Sequence, residues 1–301
     1  MTAPLSSDLY RHLLTIRGHA GSIYSLQYDG EYIYSASADK YVTRWSVLHG
    51  TQDKFAIKFE DVPYSLLLVN DNKFLLVGTN TGKLHVFDLA LNKEIKCFIQ
   101  HESAVFSLLS NPSKKQFYSA DASGNVAVWS LDTWNLLLFL PTDCGKIRRM
   151  VLDKVGKKMF FASQDGYITI LETDYFNVIH NFQSHKDGAT SLMLCEEENC
   201  LFTGGKDALL KSWDLSSGLE LKVLPAHNFV IYDIVKLNDK NFATVSRDKS
   251  IKIWSKNSLE VLLKIDAHKN GHHHSVNNII ALDEWRFVTC SDDKTIRVFG
   301  Y

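Results

Sequence analysis

A chain of 301 residues with 45% hydrophobic and 22% charged residues has the composition of an ordinary globular protein, which excludes a disordered or low-complexity chain. Its formal net charge of −1 sets up no global field towards nucleic acid or an anionic membrane, so any electrostatic role has to be local. The stretch MTAPLSSDLYRHLLTIRGH has neither the basic flank nor the apolar core of a secretory signal, and no run is apolar for the width of a bilayer; a cytoplasmic protein is expected. The five cysteines, Cys97, Cys144, Cys195, Cys200 and Cys290, are odd in number and form no CxxC pair. They read as reduced core thiols, with Cys195 and Cys200, which bracket a turn, as the candidates for a hairpin disulfide.

The first strand-like segment, YRHLLTI at 10–16, stands alone. After it the chain runs through copies of one unit. Each has a first strand such as SIYSLQY (22–28), a second such as YIYSAS (32–37), a tight turn, and a third such as YVTRW (41–45). All three alternate with period two and are rich in β-branched and aromatic residues, as strands require. A fourth follows a second hairpin: FAIKF (55–59), EIKCFI (94–99), NLLLFL (135–140), NVIHNF (177–182), LELKVL (219–224) and EVLLKI (260–265). The clearest copy is 226–255, AHNFVIYDIVKLNDKNFATVSRDKSIKIWS. Residues closing the third strands, Trp45, Phe87, Trp129, Leu171, Trp213, Trp254 and Phe299, are spaced by 42, 42, 42, 42, 41 and 45, a period that fits a four-stranded propeller blade.

Seven copies thus fill the chain, but only six have a fourth strand of their own. The last copy stops after its third strand, so the segment at 10–16 is expected to lie beside 295–299 and complete it, protecting an edge that would otherwise be open. The predicted fold is all-β: one domain over 1–301, a seven-bladed β-propeller of four-stranded antiparallel blades closed by the N-terminal strand.

The spacing, the His ahead of the first strand, the Asp of the tight turn and the Trp closing the third strand together resemble the WD-repeat (WD40) β-propeller family over nearly the whole chain. The resemblance implies a hydrogen-bonded set of His, Ser or Thr, Asp and Trp inside a blade. The full set stands in copy one (Gly18-His19, Ser35, Asp39, Trp45), copy five (His185, Thr203, Asp207, Trp213) and copy six (His227, Thr244, Asp248, Trp254). Copy seven keeps His268 and Asp293 but closes with Phe299, and copy three keeps His101 and Trp129 with Ser123 in the Asp position. Copy four keeps only Asp165 and copy two keeps none, so weaker sets are expected in these four.

Ser, His and Asp together are also the parts of an activated nucleophile. A catalytic set is needed once, however, and a set repeated from blade to blade is a way of pairing buried polar groups. No G-x-x-x-x-G-K-[ST], Gly-rich dinucleotide turn or H-E-x-x-H occurs, so neither an enzyme nor a cofactor is expected. The run Gly271-His272-His273-His274 reads as a surface loop in the longer connection into copy seven. Adjacent histidines point in different directions and no acid or thiol lies at ligand spacing, so no metal is expected there.

In the WD-repeat family the fourth-to-first and second-to-third loops crowd one face. The resemblance points a residue near the start of each first strand towards it: Tyr24, Tyr64, Phe106, Arg148, Thr190, Tyr232 and Asn277. The residue before the turn Asp adds Ala38, Asn80, Ala122, Gln164, Lys206, Arg247 and Asp292. Copies one to three offer an aromatic arc and copies four to six a basic one (Arg148, Lys206, Arg247). Aromatics and Arg anchor protein interfaces, and Arg pairs carboxylates in bidentate fashion. The expected function is a non-enzymatic scaffold binding a protein or peptide with acidic and apolar residues through Tyr24, Tyr64, Phe106, Arg148, Thr190, Lys206, Tyr232, Arg247, Asn277 and Asp292. The chain is expected to be a monomer with no nucleic-acid or membrane partner. Two alternatives stand beside this: rings that merely pack on one another, and a small-ligand or catalytic site built from Arg148, Lys206 and the tyrosines. On the opposite face Lys114, Lys115, Lys157, Lys158 and Glu196 to Glu198 occupy turns, and Trp134 and Trp285 mark a second candidate contact site.

Overall fold

The computed structural model describes residues 10–301; residues 1–9, the front of the stretch read for a targeting signal, lie outside it. The described residues form 28 strands and three short 3-10 turns, and the strands assemble into seven four-stranded antiparallel sheets, the blades of an all-β, β-propeller-class fold. Six blades are four strands taken in chain order, over 23–58, 63–99, 105–141, 147–183, 189–225 and 231–265. No helix among the described residues is long and apolar enough to cross a membrane.

Position within a blade explains the strand compositions. Second strands such as Cys200–Gly205 and Asn241–Ser246 are buried along their whole length, because both faces are covered, and they read as unbroken apolar and small residues. Fourth strands such as Lys93–Ile99 and Glu220–Pro225 are largely exposed and carry the charge. The turn between second and third strands requires one left-handed residue. Gly82, Gly124 and Gly166 supply it in three blades, while Lys40, Ala208, Lys249 and Lys294 adopt it, at φ of 71, 63, 70 and 66°, in the others.

The seventh blade is completed as the sequence predicts. Its strands Val276–Ala281, Arg286–Ser291 and Thr295–Gly300 are joined on the outer edge by Arg11–Arg17, antiparallel, with Arg11 opposite Gly300 and Arg17 opposite Thr295. Ile16, 1% exposed, packs with Ile296 and Val298, and Tyr10 meets Phe287 edge to face at 5.2 Å. Burying each such side chain stabilises by about 1.5–3 kcal/mol.

Two compact units are distinguished among the described residues: 10–59 with 227–301, and 60–226. In the first, a core of Val245, Ile253, Val276 and Phe287 lies between blades six and seven, and one of Ile23, Trp45, Val288 and Ile296 between blades seven and one. In the second, Leu76, Val86, Phe117 and Trp129 join blades two and three, Tyr118, Met150 and Phe161 blades three and four, and Phe160, Leu192 and Trp213 blades four and five.

The internal polar set is formed in blades one, five and six. In blade one, His19 Nδ1 lies 2.8 Å from Asp39, Nε2 lies 2.7 Å from the Ser35 hydroxyl, and the Trp45 indole N–H donates to that hydroxyl at 2.7 Å. A carboxylate only accepts, so the ring proton is on Nδ1; Nε2 then accepts from the hydroxyl. Blade five repeats this with His185, Asp207, Thr203 and Trp213, and blade six with His227, Asp248, Thr244 and Trp254, all at 2.7–3.0 Å.

Two blades expected to be weak are not. In blade three the acid is Asp121, not a residue at the position of Ser123: it ends the second strand two residues earlier, fully buried, with His101 Nδ1 at 2.9 Å, while Ser119 joins His101 and Trp129. Ser123 instead donates through its hydroxyl to Ser103. In blade seven the histidine is His272, not His268. His272 reaches Asp293 and Thr289 at 2.9 Å each, whereas His268 is exposed on the 3-10 turn Ala267–Lys269. That turn, ending on left-handed Asn270, is the extra length of the connection. His272 is therefore fully buried rather than part of a surface loop, and only His273 and His274 of the run are exposed. In blade four Asp165 accepts from Ser163 at 2.6 Å. All five cysteines are free, including Cys195 and Cys200, which face one another across the hairpin, and Cys97 is exposed rather than in the core.

Candidate functional site

In all seven blades the ladder between first and second strands slips by one residue at the same place. The slips fall between Ile23 and Ser25, Pro63 and Ser65, Val105 and Ser107, Ile147 and Arg149, Ala189 and Ser191, Ile231 and Asp233, and Val276 and Asn278. The residues passed over are Tyr24, Tyr64, Phe106, Arg148, Thr190, Tyr232 and Asn277, the seven positions singled out from the sequence. A bulged residue leaves the strict alternation of the strand and has its side chain re-aimed. The backbone thus fixes where these side chains stand, while their chemistry is free to differ.

Within the unit 60–226 they form a cluster. The Tyr64 and Phe106 rings stack with centroids 5.2 Å apart and planes 13° from parallel. The Arg148 guanidinium lies 4.7 Å from the Phe106 centroid and the Lys146 ammonium 5.0 Å from it, both within cation–π range. Burial lowers the Lys146 pKa, and the charges of Arg148 and Lys206 lower it further. Like charges held this close raise one another's free energy, and a negative group placed among them relieves it. Thr190 does not join the cluster: it is buried, with its hydroxyl donating to the Gly204 carbonyl at 3.0 Å. In the turn set, Lys206 and Gln164 are exposed, and Asn80 accepts from the Val62 N–H.

In the other unit, Tyr24 and Tyr232 are half-buried. The Asn277 amide donates to the Ile23 carbonyl at 2.9 Å and to Asp292 at 2.8 Å, so Asn277 and Asp292 bind each other and tie blade seven to blade one. Arg247 is exposed, with its guanidinium 5.9 Å from the ring of Phe229, itself largely exposed. Lys146 and Phe229 escaped the sequence reading. Both precede a first strand, Ile147–Leu152 and Ile231–Lys236, and sit in connections where no periodicity marks them. Of the two tryptophans in turns, Trp134 packs edge to face on Phe74 at 5.1 Å, and Trp285 is 59% exposed beside Tyr301.

The Ser–His–Asp geometry supports no nucleophile. In blades one, three, five and six the hydroxyl is fully buried and bonded to both an imidazole and an indole, so it is engaged in the blade's own polar set and shielded from solvent. Among the described residues one group combines metal-ligand donor types at close spacing, His85, Glu94 and Cys97 on the outer hairpin of blade two.

The repeat pattern is matched by the family model described as "WD domain, G-beta repeat" at residues 10–46, 92–130, 176–214, 218–255 and 263–300, more than half of the chain. The stretches passed over hold the third strands of blades two and four, which lack the histidine of the polar set. WD repeat-containing protein 55 of Rattus norvegicus is 22% identical over 240 residues, covering 79% of this chain and 62% of that relative. The uncharacterized WD repeat-containing protein C126.01c of Schizosaccharomyces pombe is 24% identical over 250 residues, covering 80% and 58%. Protein groucho of Drosophila melanogaster is 24% identical over 170 residues, covering 54% and 23%. The chain therefore spans about three fifths of the length of the first two relatives. Five repeat matches, seven four-stranded blades and the shared His–Asp device together make this chain a member of the WD40 family.

Proposed function

We propose that this chain is a non-enzymatic interaction scaffold whose 60–226 unit binds an extended peptide carrying acidic residues next to apolar ones. WD40 propellers generally bind protein partners, and the finer reading rests on one observation: Lys146 and Arg148 converge on the ring of Phe106, which is backed by Tyr64. A carboxylate on Arg148 gains a bidentate, charge-assisted pair, and an apolar neighbour gains the rings. Tyr24, Tyr232 and Arg247 offer similar chemistry on the other unit. The partner in this proposal is a protein rather than a nucleic acid or membrane, and the chain is a cytoplasmic monomer.

Peptide display on the purified chain tests the reading, followed by anisotropy titration of the selected peptides. Selected sequences should pair Asp or Glu with apolar residues, and Arg148→Glu should weaken binding by more than about tenfold, the equivalent of 1.4 kcal/mol. Thr190→Val should bind as the parent does. Selection without acidic enrichment, or equal binding by Arg148→Glu, refutes the site. Competition by a small anion at Arg148 would favour the small-ligand alternative.

A further inference from the structure

We infer that His85, Glu94 and Cys97 form a site for a zinc ion on the outer hairpin of blade two. His85 lies on the third strand, Lys83–Asp88, and Cys97 is its direct partner across the ladder on the fourth, Lys93–Ile99. Directly paired residues point to the same face. Glu94, three residues before Cys97, would normally face the other way. The ladder slips between Val86 and Phe87, setting Glu94 opposite Phe87 and so on the face of His85 and Cys97. As a result the imidazole, carboxylate and thiol donor atoms lie within 4.8 Å of one another, with Glu94 Oε1 2.9 Å from His85 Nδ1.

The corresponding positions elsewhere show what is unusual here. In blade five they hold Lys211, Glu220 and Val223, and Lys211 and Glu220 make an ordinary ion pair at 2.8 Å. In blade one they hold Thr43, Gln52 and Ala56, and in blade three Ala127, Leu136 and Phe139. The bulge that aims a fourth-strand residue inward is thus general, but blade two alone among these fills the three positions with nitrogen, oxygen and sulfur donors.

Imidazole, carboxylate and thiolate are the donors of zinc, and three protein ligands with water in the fourth position is an accepted zinc geometry. Tetrahedral bond lengths of about 2.0–2.3 Å put donors about 3.3–3.6 Å apart, so a closing movement of about 1 Å suffices. Cys97 is exposed and Glu94 41% exposed, which leaves both free to make it. On binding, the Cys97 S–H loses its proton to solvent and a zinc–sulfur bond forms; the Glu94 carboxylate exchanges its hydrogen bond to His85 for the metal, and the His85 Nδ1 proton that made that bond is replaced by one on Nε2, which leaves Nδ1 to ligate. Lys83, two residues from His85, is already paired with Asp61 at 2.8 Å.

The test uses the reduced full chain with Co²⁺ as a spectroscopic probe. The parent should develop a thiolate-to-cobalt charge-transfer band and the visible absorption of a tetrahedral ion, both abolished by Zn²⁺. Zn²⁺ should also slow alkylation of Cys97 by more than about tenfold. Cys97→Ser should lose the charge-transfer band, since the other four cysteines are buried. His85→Ala and Glu94→Gln should each weaken Zn²⁺ binding by more than about tenfold, the least that loss of even an outer-sphere group costs. Circular dichroism of each variant checks that the blade is intact. The inference is overturned by a parent without the band, by its persistence in Cys97→Ser, or by unchanged affinity in Glu94→Gln.

Discussion

Replacing His272 by alanine tests which histidine serves blade seven, because His268, four residues earlier, is the alternative that the family spacing first offers. His272 is fully buried and makes two hydrogen bonds of 2.9 Å, to Asp293 and to Thr289. The bond to the carboxylate is charge-assisted and contributes about 1.5–3 kcal/mol, and the bond to the hydroxyl about 0.5–1.5 kcal/mol. Asp293 is not stranded by the change, because the Thr295 hydroxyl still donates at 2.6 Å and the His273 N–H at 3.1 Å. The expected loss is therefore about 2–4.5 kcal/mol, without the added cost of an abandoned buried charge. For a chain of this size that lowers Tm by about 3–7 °C. His268→Ala removes an exposed side chain and should stay within about 0.5 kcal/mol of the parent. Thermal unfolding by circular dichroism measures both. A His268→Ala variant that melts below His272→Ala, or a His272→Ala variant within about 2 °C of the parent, refutes the assignment.

Two further outcomes follow from the same architecture. Deleting residues 1–17 leaves the third strand of blade seven without its partner and bares Ile296 and Val298, so the truncated chain should lose cooperative unfolding; an unchanged melting transition refutes the closure. Stability should also fall in two steps on acidification. Burial lowers the pKa of His19, His227 and His272 below the ordinary 6.5, so the unfolded chain takes up those protons first. Their contribution is complete above pH 6.5 and is lost as pH falls from there, with a slope of at most about 4 kcal/mol per pH unit for three histidines. Burial opposes ionisation of the partner carboxylates Asp39, Asp121, Asp207, Asp248 and Asp293, but the histidine bonds overcome it and hold them below 3.8. Their contribution survives to lower pH and is lost below that value. Urea titrations across this range check the order, and a stability flat between pH 6.5 and 4.5 refutes it.

Blade number, strand order and the pairing of 10–16 with the last blade were legible because each rests on a period and on edges that must be covered. The polar sets were legible only where the spacing is regular. Asp121 was missed because an acid two residues early reaches the same imidazole from the strand end instead of the turn. His272 was missed because an inserted 3-10 turn displaced it, though it keeps a distance shared by His19, His101, His185 and His227, four residues ahead of the first strand. At the candidate site, the bulged positions were found by alignment, but no pattern announces the bulge itself. Thr190 shows the limit: its place in the repeat is the same as that of Phe106, yet a short hydroxyl turns back to its own backbone. The zinc ligands depend on a second slip, at Glu94, which strict alternation would have put on the wrong side.

Synthesis from the N-terminus gives the pairing of Arg11–Arg17 with Thr295–Gly300 a temporal side. About 280 residues must be translated between these partners, which at about 5–20 residues per second takes roughly 14–56 s. Throughout that interval Arg11–Arg17 lacks the strand that it pairs with in the finished blade, and Ile16 lacks Ile296 and Val298. The last blade is finished only when Thr295–Gly300 reaches Arg11–Arg17.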